Sequence, residues 1–290
     1  MDPSFKTVGL IGKYNSPEIA GPLLKLGAYL SGRGVKVIID RLTASNIGDS
    51  PYPVLTLDRI GHEADLAIVL GGDGTMLNIA RTLAPSDVAL VGINQGRLGF
   101  LTDISLGTMV ETIGTILDGS FVTEERMLIA AEVFDGTERV FDVLAFNEAV
   151  VSKGVKGSMI ELEVRIDGKF LYKLRADGLI AATPTGSTAY ALSSGGPIIH
   201  PSLSALALVP ICPHTFSSRP IVIGSDSEIE IVVNSAADAR AHFDSHSRFD
   251  LRAGYRVVVR RYAHTIRLLH PVGHDYYHML REKLHWTEFY

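Results

Sequence analysis

The stretch that decides the fold is Leu66-Ala67-Ile68-Val69-Leu70-Gly71-Gly72-Asp73-Gly74-Thr75-Met76-Leu77-Asn78-Ile79-Ala80-Arg81-Thr82-Leu83. It opens with five apolar residues, the length and composition of a fully buried strand. It turns at once on glycines and continues from Thr75 to Leu83 with apolar residues at helical spacing. A buried strand running straight into a helix is one half of a βαβ unit, which belongs in a parallel sheet with helices on its faces. The flanking sequence repeats the pattern. Thr7 to Ile11 and Val35 to Ile39 read as strands on either side of a helix from Glu18 to Leu30, which the Gly32-Arg33-Gly34 cluster stops. Val88 to Ile93 reads as the next strand. In such sheets ligands sit beyond the carboxyl ends of the strands. Gly71 to Thr75 and Asn94 to Asp103 occupy those places.

After about Arg126 the pattern changes to strands without helices between them. Met127 to Phe134, Val140 to Val151, Met159 to Ile166 and Phe170 to Leu174 read as strands, with Asp135-Gly136 and Asp167-Gly168 as hairpin turns. Further strands are expected at Ile221 to Ile223, Ile229 to Val233 and Val257 to Val259, and a last helix at Tyr276 to Leu284. The expected organisation is an α/β first domain with a parallel, Rossmann-like sheet over residues 1–125. A β-rich second domain follows over 126–266, and a C-terminal segment, 267–290, returns to the first domain.

Composition narrows the function classes. The 290 residues are 46% hydrophobic and 20% charged, with a formal net charge of −5. A protein gripping a nucleic-acid backbone is usually basic over its binding domain, so no nucleic-acid partner is expected. No apolar run reaches the roughly 18 residues of a membrane span, and the N-terminus lacks the layout of a signal peptide. With one cysteine, Cys212, there is no internal disulfide to expect. The expected setting is the cytoplasm. Nine of the ten histidines lie from His200 onward. His270, His274 and His278 would share a face on a helix. Pro271 and Gly273 argue against helix there, which favours a polar surface over a metal site.

Three segments can carry chemistry. In the first, glycines at 71, 72 and 74 remove every Cβ that would keep a phosphate from the backbone. The helix opened by Thr75 offers free amides to an anion. Asp73 is out of place in a phosphate cradle, since a carboxylate repels phosphate. It makes sense as a partner for a hydroxyl whose proton it takes during attack on phosphorus. The plain alternative is a strand-to-helix turn with Asp73 as a cap. The second segment, Thr183-Pro184-Thr185-Gly186-Ser187-Thr188-Ala189-Tyr190, follows the apolar run Gly178 to Ala182. It offers four serine and threonine hydroxyls at a strand-to-helix junction, either to a ligand or as caps from Thr185 or Ser187. The third feature is Asn147-Glu148, set inside an apolar run, with Asp177 similarly isolated between Ala176 and Gly178. Polar groups so placed are costly unless paired, and together they suggest a polar cavity.

Taken in order, these segments resemble the bacterial NAD kinase family over roughly residues 5–285. The matching pieces are Gly71-Gly72-Asp73-Gly74-Thr75, Gly92-Ile93-Asn94, Gly96-Arg97-Leu98-Gly99-Phe100-Leu101, Asn147-Glu148, Asp177-Gly178, Thr183 to Tyr190, Ala191-Leu192-Ser193, Gly195-Gly196-Pro197, Pro213-His214-Thr215 and Arg219-Pro220. The glycine-aspartate turn alone is shared with diacylglycerol, sphingosine and phosphofructo kinases. The second-domain segments make the match specific. The resemblance implies an NAD kinase/diacylglycerol kinase-like first domain. It also implies transfer of the γ-phosphate of ATP to the 2′-hydroxyl of the adenosine ribose of NAD, with a divalent cation, magnesium, present. It implies Asp73 as proton acceptor, and NAD contacts from Asp73, Gly74, Asn147, Glu148, Arg175, Asp177, Thr188, Ala189, Tyr190, Ala191, Leu192 and Ser193. Phosphate lies along Gly71, Gly72, Gly74 and Thr75. A homo-oligomer, dimer or tetramer, is implied, with pockets completed by a neighbouring subunit. Two departures stand out. Asp244-Ser245-His246 replaces the family's Asp-Ser/Gly-Gln, putting His246 where a glutamine reaches NAD. Ser158 stands where a basic residue is common. A lipid or sugar kinase sharing only the turn, and a nucleotide sensor without catalysis, are the other readings.

Overall fold

In the computed structural model the described residues are 5–96, 98–155, 158–215, 217–235 and 238–286. Arg97 of the glycine-rich segment lies outside them. The chain divides into two compact units, Met1–Glu125 with Ile266–Tyr290, and Arg126–Thr265. No helix among the described residues is long and apolar enough to cross a membrane.

The first unit is a doubly wound sheet. Its strands are β1 (Thr7–Gly12), β2 (Lys36–Asp40), β3 (Val54–Leu55), β4 (Leu66–Leu70), β5 (Ala89–Asn94) and the short β6 (Ile104–Ser105). The helices are α1 (Ala20–Gly32), α2 (Arg41–Ala44), α3 (Leu57–Glu63), α4 (Asp73–Leu83) and α5 (Met109–Leu117). The parallel order is β3-β2-β1-β4-β5. β4 and the central residues of β1 and β5 are wholly buried, as strands covered on both faces must be. The order reverses between β1 and β4, and the Gly71–Thr75 turn leaves β4 at that reversal, the place where open α/β sheets bind ligands. α4 starts two residues before the expected Thr75, so Asp73 is its first helical residue and Gly72 its N-cap.

The second unit is a β-sandwich. β7 (Phe121–Asp135) and β8 (Glu138–Ala145) form one hairpin, and β10 (Ile160–Ile166) and β11 (Lys169–Ala176) another; β9 (Glu148–Lys153) lies between them in the chain. β12 (Gly178–Ala182), the short α6 (Tyr190–Ser193), β13 (Ala205–Ile211), β14 (Ile221–Gly224), β15 (Ile229–Ser235), β16 (Ala239–Phe243) and β17 (Ser247–Leu251) follow. The chain closes with β18 (Arg256–Pro271) and α7 (Tyr276–Leu284). One sheet has the order β14-β13-β12-β9-β16-β17 and is antiparallel throughout. β7, β8, β10, β11, β15 and the start of β18 form the other. Alternate residues of both sheets, such as Ile129, Val151, Leu162, Leu179, Ile231 and Phe243, meet in one fully buried core. Asp167 and Gly168 both have positive φ, 51° and 73°, as the two-residue turn that matches strand twist requires.

One expectation is corrected. Val140 to Val151 is not one strand: β8 ends at Ala145 and β9 begins at Glu148, with Phe146-Asn147 as a bend. As Pro271 and Gly273 lead one to expect, His270, His274 and His278 do not share a helix: His270 lies near the end of β18, His274 follows the turn after it and only His278 is in α7.

Candidate active site

The glycine-aspartate turn is built by its neighbours. Lys13, which follows β1, donates its backbone N–H to Leu70 O at 2.9 Å, which sets this exposed lysine beside Gly71. A Cβ built on Gly72 or Gly74 meets nothing within 4 Å. The protein's own packing therefore does not demand glycine there; the open space suits a ligand close to the backbone. Gly71 differs, because a Cβ would lie 2.6 Å from Thr75 Oγ1. α4 carries no side-chain cap, and while Thr75 N–H donates to Gly72 O at 3.0 Å, the amides of Asp73 and Gly74 remain available to an anion.

Asp73 is not a cap. Its carboxylate turns to the loop after β5. Phe100 N–H donates to Oδ2 at 2.9 Å, Leu101 N–H to Oδ1 at 3.0 Å and Thr102 Oγ1 to Oδ1 at 3.2 Å. A carboxylate offers about four lone-pair positions, so this one is fixed by three bonds and keeps room for a fourth donor. Gly99 makes the approach possible, since a Cβ there would lie 2.0 Å from Asp73 Oδ1. Asn94 ties down the start and end of the same loop, donating from Nδ2 to Thr102 O and accepting from Gly96 N–H.

The second cluster belongs to the sandwich unit. Asp244, in the turn between β16 and β17, has a positive φ of 48°. Its Oδ2 accepts from Phe146 N–H at 3.0 Å, and its Oδ1 from Asn147 and Glu148 N–H at 2.8 and 3.2 Å. The bend that breaks the expected strand is thus stabilised by a side chain almost a hundred residues away. Thr183 completes it, donating its N–H to Asn147 O at 2.8 Å and its hydroxyl to Phe146 O at 2.7 Å. Gly186 packs so tightly on this bend that a Cβ would meet Asn147 O at 2.1 Å. Glu148 is buried, and its Oε2 has no hydrogen-bond partner. Burial, helped by the neighbouring Asp244 carboxylate, pushes its carboxyl up to about 8.

The hydroxyls of the threonine-rich junction divide. Ser187 is wholly buried and holds Pro184 O and both backbone groups of Ile199, so it is structural. Thr188 bonds Thr185 O and leads into Ala189, the exposed Tyr190, the buried Ala191, Leu192 and Ser193. Strand register places this run and His246 at the end of the sheet that carries Asn147 and Glu148: Glu148 pairs with Ala182, and Ala149 with Phe243. Arg175 and Asp177 lie elsewhere. Asp177 precedes the other end of β12 and pairs with Lys153 at 2.8 Å, roughly 16 Å along the strand from Glu148 at about 3.3 Å per residue. Arg175 is exposed on β11.

Sequence reading missed Lys13 and Thr102, and it named Asp244 only beside His246, without its role in holding the Phe146-Asn147 bend. Lys13 and Thr102 gain their place only from the strand order. Asp244 carries one local signal, an Asp-Ser pair in a tight hairpin, where aspartate tolerates positive φ.

Residues 33–121 match the model of the ATP-NAD kinase N-terminal domain, and residues 146–270 that of the ATP-NAD kinase C-terminal domain. A NAD kinase of Nitrosomonas europaea is 60% identical over 283 residues, covering 98% of this chain and 96% of its own length. One from Aromatoleum aromaticum is 53% identical over 288 residues, covering 99% and 96%. Among solved structures, yeast NADH kinase complexed with NADH aligns with a TM-score of 0.91 at 25% identity, over 100% of this chain and 90% of the other. A NAD kinase from Archaeoglobus fulgidus in complex with ATP aligns at 0.73 and 25% identity, over 95% and 99%.

Proposed function

The chain belongs to the ATP-NAD kinase family, and from that premise we propose that it transfers the γ-phosphate of ATP to the 2′-hydroxyl of the adenosine ribose of NAD, giving NADP and ADP. One observation carries the chemical reading: Asp73 is held by three donors, with one acceptor position left, beside two glycines that open onto free space. That position suits the ribose hydroxyl. Asp73 accepts the hydroxyl proton as the oxygen attacks phosphorus. The uncapped start of α4 and the amides of Gly72 and Gly74 take phosphate oxygens, flanked by Gly71 and Thr75, whose own N–H groups donate to Ile93 O at 2.9 Å and Gly72 O at 3.0 Å, with Lys13 as a nearby cation.

Asn147 and Glu148, with Thr188 to Ser193 and His246, bind NAD. Glu148 in its neutral form both donates and accepts, which suits a sugar hydroxyl or a base edge. Magnesium keeps several waters and is usually held by one or two carboxylates and substrate phosphates. The turn fits it through phosphate, because the last acceptor position of Asp73 goes to the hydroxyl. When bound, the ion neutralises phosphate charge.

The separation of Arg175 and Asp177 from Glu148 supports a homo-oligomer in which these two residues serve the NAD site of a neighbouring copy. The protein works in the cytoplasm. Incubation with NAD, ATP and magnesium tests the reading: NADP should form, and Asp73→Asn should lower kcat by roughly 100-fold or more. No NADP from folded protein would sink the activity. Equal rates for the variant would remove Asp73 as proton acceptor and leave the activity standing.

A further inference from the structure

Outside this machinery, the described residues contain one group of side chains with the chemistry of a metal site: Asp103, His270 and His274. Asp103 Oδ2 lies 2.8 Å from His270 Nδ1 and 2.8 Å from His274 Nδ1. The two rings stack with centroids 3.9 Å apart. The three side chains are only 8%, 2% and 11% exposed, and one ligand atom from each falls within 4.8 Å of the others. Hydrogen bonding alone explains this arrangement poorly. Two imidazoles crowd one carboxylate oxygen, while the other oxygen of the same carboxylate, Oδ1, is buried with no partner. A buried acceptor left unpaired costs about 1–3 kcal/mol.

We propose that Asp103, His270 and His274 form a binding site for a zinc-like divalent transition-metal ion. Two imidazole nitrogens and a carboxylate oxygen match the ligands of three-residue zinc sites. Two nitrogen ligands select zinc, cobalt, nickel or copper over magnesium and calcium, so this ion is distinct from the one that accompanies ATP. Zinc bonds these atoms at about 2.0–2.2 Å, which asks the present donors to part by roughly half an ångström. The outer arrangement fits as well. His270 Nε2 lies 3.2 Å from Glu124 Oε2, and metal-bound imidazoles characteristically donate their second N–H to a carboxylate. A pocket of about 280 Å³, lined by Leu98, Asp103, Gly273, His274, His278 and Met279 among others, reaches the cluster and gives an ion and its fourth ligand, a water, a way in.

The site has a structural consequence. Asp103 directly follows Thr102, whose hydroxyl, with the amides of Phe100 and Leu101, holds Asp73. An ion here pins the end of β18 and the turn before α7 to the loop that positions Asp73.

Tag-free protein, stripped with chelator and returned to buffer containing magnesium, would be titrated with Zn²⁺ by calorimetry. One ion per chain is expected. His274→Ala and Asp103→Asn should weaken binding by roughly 100-fold, and Glu124→Gln by about 10- to 100-fold; the exposed His264→Ala should leave it unchanged. X-ray absorption at the zinc edge of wild-type protein should show two imidazoles, and this reading needs no variant to fold. Absence of saturable one-to-one binding, fewer than two imidazoles at the ion, or unchanged affinity in folded His274→Ala and Asp103→Asn would each overturn the proposal. None of these readouts depends on kinase activity, so the site stands or falls separately from the reaction.

Discussion

Glu148 has a carboxyl group whose surroundings resist its charge. Burial comes first and the Asp244 carboxylate second, and together they raise it from 4.5 to about 8. The sign of the consequence follows. The folded state holds the proton more tightly than the unfolded chain, so the stabilisation is fully present below about pH 4.5 and is lost as pH rises through 8. Glu148→Gln keeps the shape and cannot ionise. Compared by thermal or urea unfolding from pH 5 to 9, wild type should lose stability relative to this variant as pH rises. The difference should reach a few kcal/mol, at about 1.4 kcal/mol per unit of displacement. Parallel curves would remove the buried proton. Asp244 makes a second case. Its three acceptor bonds shape the Phe146-Asn147 bend, so Asp244→Ala should destabilise by about 2–4 kcal/mol and raise KM for NAD more than it lowers kcat. An unchanged KM would mean that the bend does not set the NAD contact.

At the scale of elements, the loop after β5 is made to fit Asp73 by the absence of side chains. A Cβ on Gly99 would lie 2.0 Å from Asp73 Oδ1 and 2.3 Å from Thr102 Oγ1, and one on Gly92 would lie 2.3 Å from Leu101 O. Gly99→Ala must therefore displace the carboxylate or the loop. It should lower kcat at least tenfold, since small misplacements at a reacting group are costly. Gly107→Ala, whose Cβ would find its nearest neighbour at 3.7 Å, should be silent. Equal kcat values for the two variants would show that the Gly99 contact does not position Asp73. The elements also show what a sequence makes legible. The buried strands Thr7–Gly12 and Leu66–Leu70 were plain because unbroken apolar runs bounded by turn residues have few other readings. The hairpin turn at Asp167-Gly168 followed from turn chemistry, whereas the one expected at Asp135-Gly136 is shifted by one residue to Gly136-Thr137, because Asp135 pairs with Glu138. α3, with only Ile60 buried, escaped notice because one apolar anchor makes no periodic stripe. The break at Phe146-Asn147 was hidden because its cause, Asp244, is remote. For the same reason the partner of His270 and His274 could not be read locally: Asp103 lies 167 residues from His270.

On the scale of the whole molecule, the chain leaves its first unit at Glu125 and returns at Ile266. The first unit is therefore discontinuous, and we treat its closing segment as part of its core rather than as a tail. Leu268 pairs in parallel register with Leu90 of β5. Ile266, Leu268, Leu269, Met279 and Leu280 are all at most 4% exposed. Burying each such side chain contributes about 1.5–3 kcal/mol, so the five together are worth on the order of 10 kcal/mol. That matches the whole stability of a typical domain, about 5–15 kcal/mol. A chain ended after Thr265 should consequently lose cooperative folding of the first unit. Hydrogen exchange should find the amides of β1, β4 and β5 unprotected, while those of β9, β12 and β16 stay protected by a sandwich core drawn entirely from residues 126–265. NADP formation should vanish with the platform for Asp73. Native-like protection of β4 in the truncated chain would refute the division, because the parallel sheet would then be closed by β5 alone and the returning strand would be an accessory to it.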